Sequence, residues 1–292
     1  MTLSIMALAL AALTGCTADG NNWFSQKNVD KGNIVKTDGE YVSREFNIKD
    51  FTGLNFGYNT EVTFIQSDSY KVEVKTTEKV FDYLQVKNKN GFLTMEFPLS
   101  TPNKVKNEKV YLYVTAPVIN NFDLSGVTKL HAEGFKANKV DMDISGASEI
   151  TVGKVECTQA DIDCSGASKM NLAIQAQELD IDCSGASKMK ANLQAKEVDL
   201  DLSGAVKGEL DIVSDEVECD ISGVSKISGS FKGKRIDIEC SGSGKIDLDV
   251  DCENLKAENS GVAKVKISGT ADNAKINSSG VSKIDASQLN QL

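Results

Sequence analysis

Asp161-Ile162-Asp163-Cys164-Ser165-Gly166-Ala167-Ser168-Lys169 is followed, 19 residues on, by Asp180-Ile181-Asp182-Cys183-Ser184-Gly185-Ala186-Ser187-Lys188. The two phrases are identical, and they belong to a longer series. Ser-Gly pairs begin at Ser125, Ser145, Ser165, Ser184, Ser203, Ser222, Ser241, Ser260 and Ser279, at intervals of 20, 20 and then 19. A fixed period near 20 marks a solenoid, in which each coil cannot bury its apolar side alone.

Within each phrase apolar and acidic residues alternate, as in Asp199-Leu200-Asp201-Leu202 and Asp237-Ile238-Glu239-Cys240. That period of two is the pattern of a half-buried strand. The Ser-Gly pair breaks the strand, because Gly permits the dihedrals of a tight corner. Four residues after each Ser stands a Lys, from Lys129 and Lys169 to Lys283, with Glu149 the one departure. A second alternating stretch follows, for example Ile246-Asp247-Leu248-Asp249-Val250, and a polar turn completes the coil. No stretch of useful length carries the 3.6 periodicity of an amphipathic helix. The chain therefore reads as all-β: a right-handed parallel β-helix over 120–292 with coils of about 19 residues, stacked about 4.8 Å apart. Ile162, Ile181 and Leu200 are expected to stack inside, with Asp163, Asp182 and Asp201 stacked outside.

Residues 1–16 read as a lipoprotein signal segment. They are uncharged and mostly apolar, and they end in Leu13-Thr14-Gly15-Cys16, which resembles a bacterial lipobox and makes Cys16 the expected lipid attachment site. No Lys or Arg precedes the apolar run, which is too short for a membrane-spanning helix. Residues 17–40 are polar and rich in Gly and Asn, and read as a flexible tether. Residues 41–119 read as a β cap with the first irregular coils. They hold alternating stretches such as Tyr70-Lys71-Val72-Glu73-Val74 and Val110-Tyr111-Leu112-Tyr113-Val114, and all six Tyr of the chain. Such a cap covers the open end of a solenoid against edge-to-edge association.

Several of these segments resemble the auto-transporter adhesin head family, also called the GIN-domain family, of Bacteroidota. The resemblance rests on Arg44-Glu45-Phe46, on Phe51-Thr52-Gly53-Leu54 and on Val62 to Ile65. Thr115-Ala116-Pro117 and the Ser-Gly-Ala-Ser repeats opened by Leu124-Ser125-Gly126 complete it. It covers roughly 41–292. It implies an exported envelope protein with a β-helix, and it brings no catalytic residues.

The net charge of −10 is organised in columns. One runs through Asp141, Asp161, Asp180, Asp199, Glu218 and Asp237. A second runs from Asp123 through Asp143, Asp163, Asp182, Asp201, Asp220 and Glu239 to Glu258. Carboxylates one coil apart repel by roughly 0.8 kcal/mol in a water-like dielectric. Pairing with the corner Lys column, screening by salt and bound divalent cations are the three ways to offset this. An acidic face argues against a nucleic-acid partner, which needs a basic stripe.

Of seven Cys, Cys164, Cys183, Cys219 and Cys240 fall on inward positions and read as small core residues, while Cys157 and Cys252 fall in the turn. Cys164 and Cys183 share a ladder in adjacent coils at a separation that suits a disulfide, although parallel Cβ directions work against it. No CxxC occurs, and His131 is the one His, so neither a metal-ligand cluster nor a Ser triad can be composed. The corner Ser read as structural, bonding to the turn backbone.

These readings lead to a non-enzymatic envelope lipoprotein that displays a β-helix for adhesion or for surface or matrix binding. Its expected partners are the membrane, through the lipid, and a carbohydrate or surface protein. No cofactor, metal or catalytic residue is assigned. Thr17, in place of the Asp that favours inner-membrane retention, points to the outer membrane. Two alternatives stand beside it: a carbohydrate-active lyase or hydrolase, and a cation-binding envelope scaffold.

Overall fold

The computed structural model describes residues 39–279 and 281–291. The signal segment with Cys16, and the expected tether as far as residue 38, lie outside the described residues. The first half holds β1 (Tyr41–Phe46), β2 (Gly53–Phe56), β3 (Asn59–Gln66), β4 (Lys71–Thr77), β5 (Gln85–Lys89), β6 (Phe92–Glu96) and β7 (Val110–Ala116). Two single-turn helices, α1 (Glu78–Phe81) and α2 (Asn103–Lys106), interrupt it and are too short to leave a helical period in the sequence. Strands β8 (Asn121–Leu124), β9 (Val127–Lys136), β10 (Lys139–Ile144), β11 (Glu149–Glu156), β12 (Gln159–Cys164), β13 (Lys169–Gln175) and β14 (Glu178–Cys183) follow. From β15 (Lys188–Leu202) onward one strand runs through the second corner of each coil: β16 (Lys207–Ile221), β17 (Val224–Cys240), β18 (Ser243–Asn259), β19 (Lys264–Ser278) and β20 (Lys283–Gln291).

The repeats form a parallel β-solenoid of about 9 turns with ~19-residue spacing. Ile162 pairs with Ile181 and Ile181 with Leu200, and all three are fully buried. Asp163, Asp182 and Asp201 pair in the same register and are exposed. Alternation drives this outcome. Each strand puts every second side chain inside, where burial contributes about 25 cal/mol per Å², while its backbone bonds to the coils on either side.

At the N-terminal end the order in space departs from the order in the chain. β2 pairs in parallel with β8, and β3 with β9, so residues 53–66 form a coil directly beneath the first Ser-Gly coil. Beneath that coil lie β6 and β7, parallel to β2 and β3. The chain thus lays down one coil, leaves it to build the coil below, and returns past it to start the repeats. β5 runs antiparallel to β6, β4 antiparallel to β7, and β1 antiparallel to β4, which closes this end. The large buried rings gather here. Phe64, Phe122 and Phe135 meet with ring centroids 5.5–6.3 Å apart, whereas farther along Phe231 is the one buried ring.

Candidate functional site

The Ser-Gly corner is the most regular feature of the surface. Gly126, Gly146, Gly166, Gly185, Gly204 and Gly223 all have φ between 71 and 92°. Each also lies against the corner of the coil below: a Cβ on Gly166 would stand 2.5 Å from the Gly146 carbonyl oxygen. Glycine is required there for both conformation and contact. The hydroxyl that holds the corner belongs to the residue three positions after the Ser. Ser148 Oγ donates to the Ser145 carbonyl at 2.9 Å and Ser168 Oγ to that of Ser165 at 3.2 Å, and Thr128 and Ser282 repeat the bond. Ser148, Ser168, Ser187 and Ser225 are buried. The Ser of each Ser-Gly pair faces outward at least in part, so the structural role falls mainly on its neighbour.

On one flank of the corner the acidic ladder runs unbroken from Asp123 to Glu258. An Asn amide ends it at each side. Asn55 Nδ2 donates to Asp123 at 2.5 Å, and Asn277 Nδ2 donates to Glu258 at 3.2 Å. Burial first, and then the neighbouring carboxylates, push the carboxyls of Asp143, Asp180, Asp182 and Asp220 above the usual range. Lys256 enters the other acidic column and stands 2.5 Å from Glu239 and 3.3 Å from Asp237. Between the acidic ladder and the outward Ser row lies a shallow trough, lined in one stretch by Asp143, Asp163, Asp182, Ser145, Ser165 and Ser184. Among the described residues no group of three or more His, Cys, Asp or Glu is arranged to hold a metal ion.

On the other flank Lys169, Lys188, Lys207, Lys226, Lys245, Lys264 and Lys283 stack one above another. Adjacent rungs repel by the same amount as the carboxylates one coil apart. Direct pairing with these lysines, one of the three ways to offset the repulsion along the acidic ladders, does not occur. Among the described ion pairs none joins a corner Lys to either acidic column, because the corner turns the two rows onto different faces. Glu149, the exception in the Lys row, has a clear role. It accepts from Lys129 at 2.8 Å and from Lys169 at 2.6 Å, which holds its carboxyl down at about 2.

Cys164, Cys183, Cys219 and Cys240 are buried as expected, and the described cysteines are free thiols. Cys164 and Cys183 are register partners, and Cys164 Sγ lies 3.6 Å from Ser187 Oγ. Hydrogen bonding with Cys183 lowers Cys164, while the same bond and burial push Cys183 up. Cys252 is not in a turn. It is buried within β18, which runs through the second corner in register with Gly233 and Ala271. His131 points outward on β9 between Thr63 and Thr151, with no acid beside it in its row. No described helix is long and apolar enough to cross a membrane.

The family model described as "Putative auto-transporter adhesin, head GIN domain" matches residues 50–230 and 215–291. No curated protein matches the chain. A crystal structure of a putative adhesin from Parabacteroides distasonis ATCC 8503 is similar with a TM-score of 0.56 at 17% identity, covering 86% of this chain and 98% of that one. Another, of a putative adhesin from Parabacteroides merdae ATCC 43184, gives a TM-score of 0.53 at 16% identity with the same coverage. At these identities the likeness concerns the fold.

Proposed function

The chain belongs to the auto-transporter adhesin head, GIN domain family, and from that membership we propose that it is an adhesin-like, non-enzymatic protein of the cell envelope. It is tethered through a lipid on Cys16 and presents the rows of its solenoid to a carbohydrate or a surface protein. The observation that carries this reading is the stacking of outward residues into straight rows that span the repeats. Such rows offer many identical contacts at one spacing, which suits a repetitive ligand and gives avidity without a deep pocket. The Cys16 tether is supported by Leu13-Thr14-Gly15-Cys16 after an uncharged apolar run.

Cells producing the full chain, or the chain with Cys16→Ala, are fractionated and tested for adherence to immobilised polysaccharides and host-surface proteins. The wild type is expected in the membrane fraction, with Cys16→Ala released and adherence lost. A Cys16→Ala chain bound as tightly as the wild type overturns the tether. Cleavage of a polysaccharide by purified chain, abolished by a point substitution, overturns the non-enzymatic reading.

A further inference from the structure

Around the corner Gly the charges are placed symmetrically and with opposite sign. Asp163 lies three residues before Gly166 and Lys169 three residues after it, and the same holds coil after coil as far as Glu258, Gly261 and Lys264. Asp143, Gly146 and Glu149 break the rule, but Glu149 is already satisfied by the lysines above and below it. Between the two charged rows runs the corner ridge, built of the outward Ser, the Gly and a third position that is mostly apolar. Val127, Val224, Val262 and Val281 are among the chain's exposed large hydrophobic residues and share one row, which Ala147, Ala167, Ala186 and Ala205 continue and Ser243 alone interrupts. An apolar centre between charged flanks is the anatomy of a protein interface.

We propose that this ridge is the contact surface of a symmetric dimer, in which a second copy lies corner to corner with its coils running in the same direction. A two-fold axis parallel to the solenoid axis brings the Lys ladder of each copy opposite the acidic ladder of the other, on both flanks at once. The rungs match without adjustment, since both ladders take their spacing from the same strand-to-strand distance. Reversing one copy instead sets acid against acid and Lys against Lys, so the charge pattern rejects the antiparallel pair. The Ser, Gly and Ala of the corner are small enough for the two ridges to approach, and the exposed Val side chains then pack at the centre. The trough beside the Ser row receives the partner's Lys side chains. The two N-terminal caps come to lie at the same end. This inference concerns assembly and does not depend on what the protein adheres to.

The test uses purified chain carrying Cys16→Ala, so that no lipid drives association, and sedimentation at about 0.01 M and about 1 M salt, where charges act over roughly 30 Å and roughly 3 Å. A dimer is expected at low salt and at least ~10-fold weaker association at high salt. A variant with Lys188→Glu, Lys207→Glu and Lys226→Glu is expected to be monomeric. So is a second with Asp182→Lys, Asp201→Lys and Asp220→Lys. Mixed in equal amounts, the two should form a one-to-one heterodimer, a gain that misfolding cannot produce. Val262→Cys should cross-link to itself under mild oxidation and not to Val127→Cys. A monomeric wild type at low salt overturns the proposal, as does failure of the mixed variants to associate or cross-linking of position 127 to 262. Monomeric wild type retained on a polyuronate, with retention lost in the Lys variant, makes the Lys ladder a polyanion site and likewise overturns it.

Discussion

Replacing Gly166 by Ala tests whether the corner is held by stacking as well as by conformation. Gly166 has φ 86°, where a residue with a Cβ costs about 1–2 kcal/mol. The new methyl would also stand 2.5 Å from the Gly146 carbonyl oxygen and 2.9 Å from its nitrogen. Relief requires the coils to part at the corner. That movement weakens the 2.8 Å bonds from Ala167 N to Gly146 O and from Ala186 N to Gly166 O. At about 0.5–1.5 kcal/mol per bond, the total cost comes to about 2–5 kcal/mol. Gly91 is the internal control: its φ is 84°, and a Cβ there meets nothing within 4 Å. Gly91→Ala should therefore cost only the conformational part, about 1–2 kcal/mol. Equilibrium urea unfolding of both variants measures the difference, and amide exchange localises it, with Ala167 and Ala186 losing protection in Gly166→Ala alone. Equal destabilisation by the two substitutions would refute the stacking argument.

Ile181→Ala removes a fully buried side chain between Ile162 and Leu200 and should cost about 2–5 kcal/mol in urea unfolding, and a cost under about 1 kcal/mol would mean the inner row is loosely packed. Asp182→Asn, its neighbour on the outer row, should stabilise the protein at neutral pH. The Asp182 carboxyl is raised in the folded state, so stability attached to it is full below 3.8 and is lost as pH rises through the folded value. The gain from Asp182→Asn should thus shrink as the medium is acidified towards 3.8, and a constant gain would contradict the ladder repulsion. Glu149 behaves oppositely. Its carboxyl falls from 4.5 to about 2, so its contribution is full above 4.5 and is lost as pH drops towards 2. Because Lys129 and Lys169 are more than half exposed and Glu149 about a third, Glu149→Gln should cost only about 1 kcal/mol at neutral pH and clearly less near pH 2, and thermal melts that show the same deficit at both would exclude the ion-pair account.

The repeats were legible because one coil differs little from the next. Ser-Gly marks the corner, alternation marks the strands, and stacking turns the period directly into rows, so the burial of Ile162, Ile181 and Leu200 follows from position alone. The coil at residues 53–66 was not legible as a coil. Its corner is Gly57-Tyr58, with Tyr58 at φ 65° standing where later coils have the corner Gly. A faint signal existed: Thr60 Oγ1 donates to the Gly57 carbonyl at 2.5 Å, the bond that Thr128 makes to Ser125. Position along the chain hid it, since the coils on either side of it come later in the sequence. Cys252 was misplaced for a related reason: the second corner bends without breaking the strand, and in this coil no Gly or Pro stands beside Cys252 to announce where outward and inward positions change. The charged columns were visible, but their pairing was not, because sequence spacing does not reveal on which side of a corner a long side chain extends.

The order of coils at the N-terminal end has a consequence for how the chain must fold as it emerges during synthesis or export. When residues 53–66 appear, neither of their stacking partners exists yet, since Val62 pairs with Leu112 on one side and Leu130 on the other. The first coil must wait, and two long loops must close before any hydrogen-bonded edge is available. Once β8 and β9 are in place the situation reverses: every later coil closes a loop of about one repeat onto a finished template. Assembly is therefore expected to begin slowly, at the cap, and then to run rapidly towards the C-terminus. Losing coils from the far end shortens the product, whereas losing β6 and β7 removes the seed on which the first coil settles.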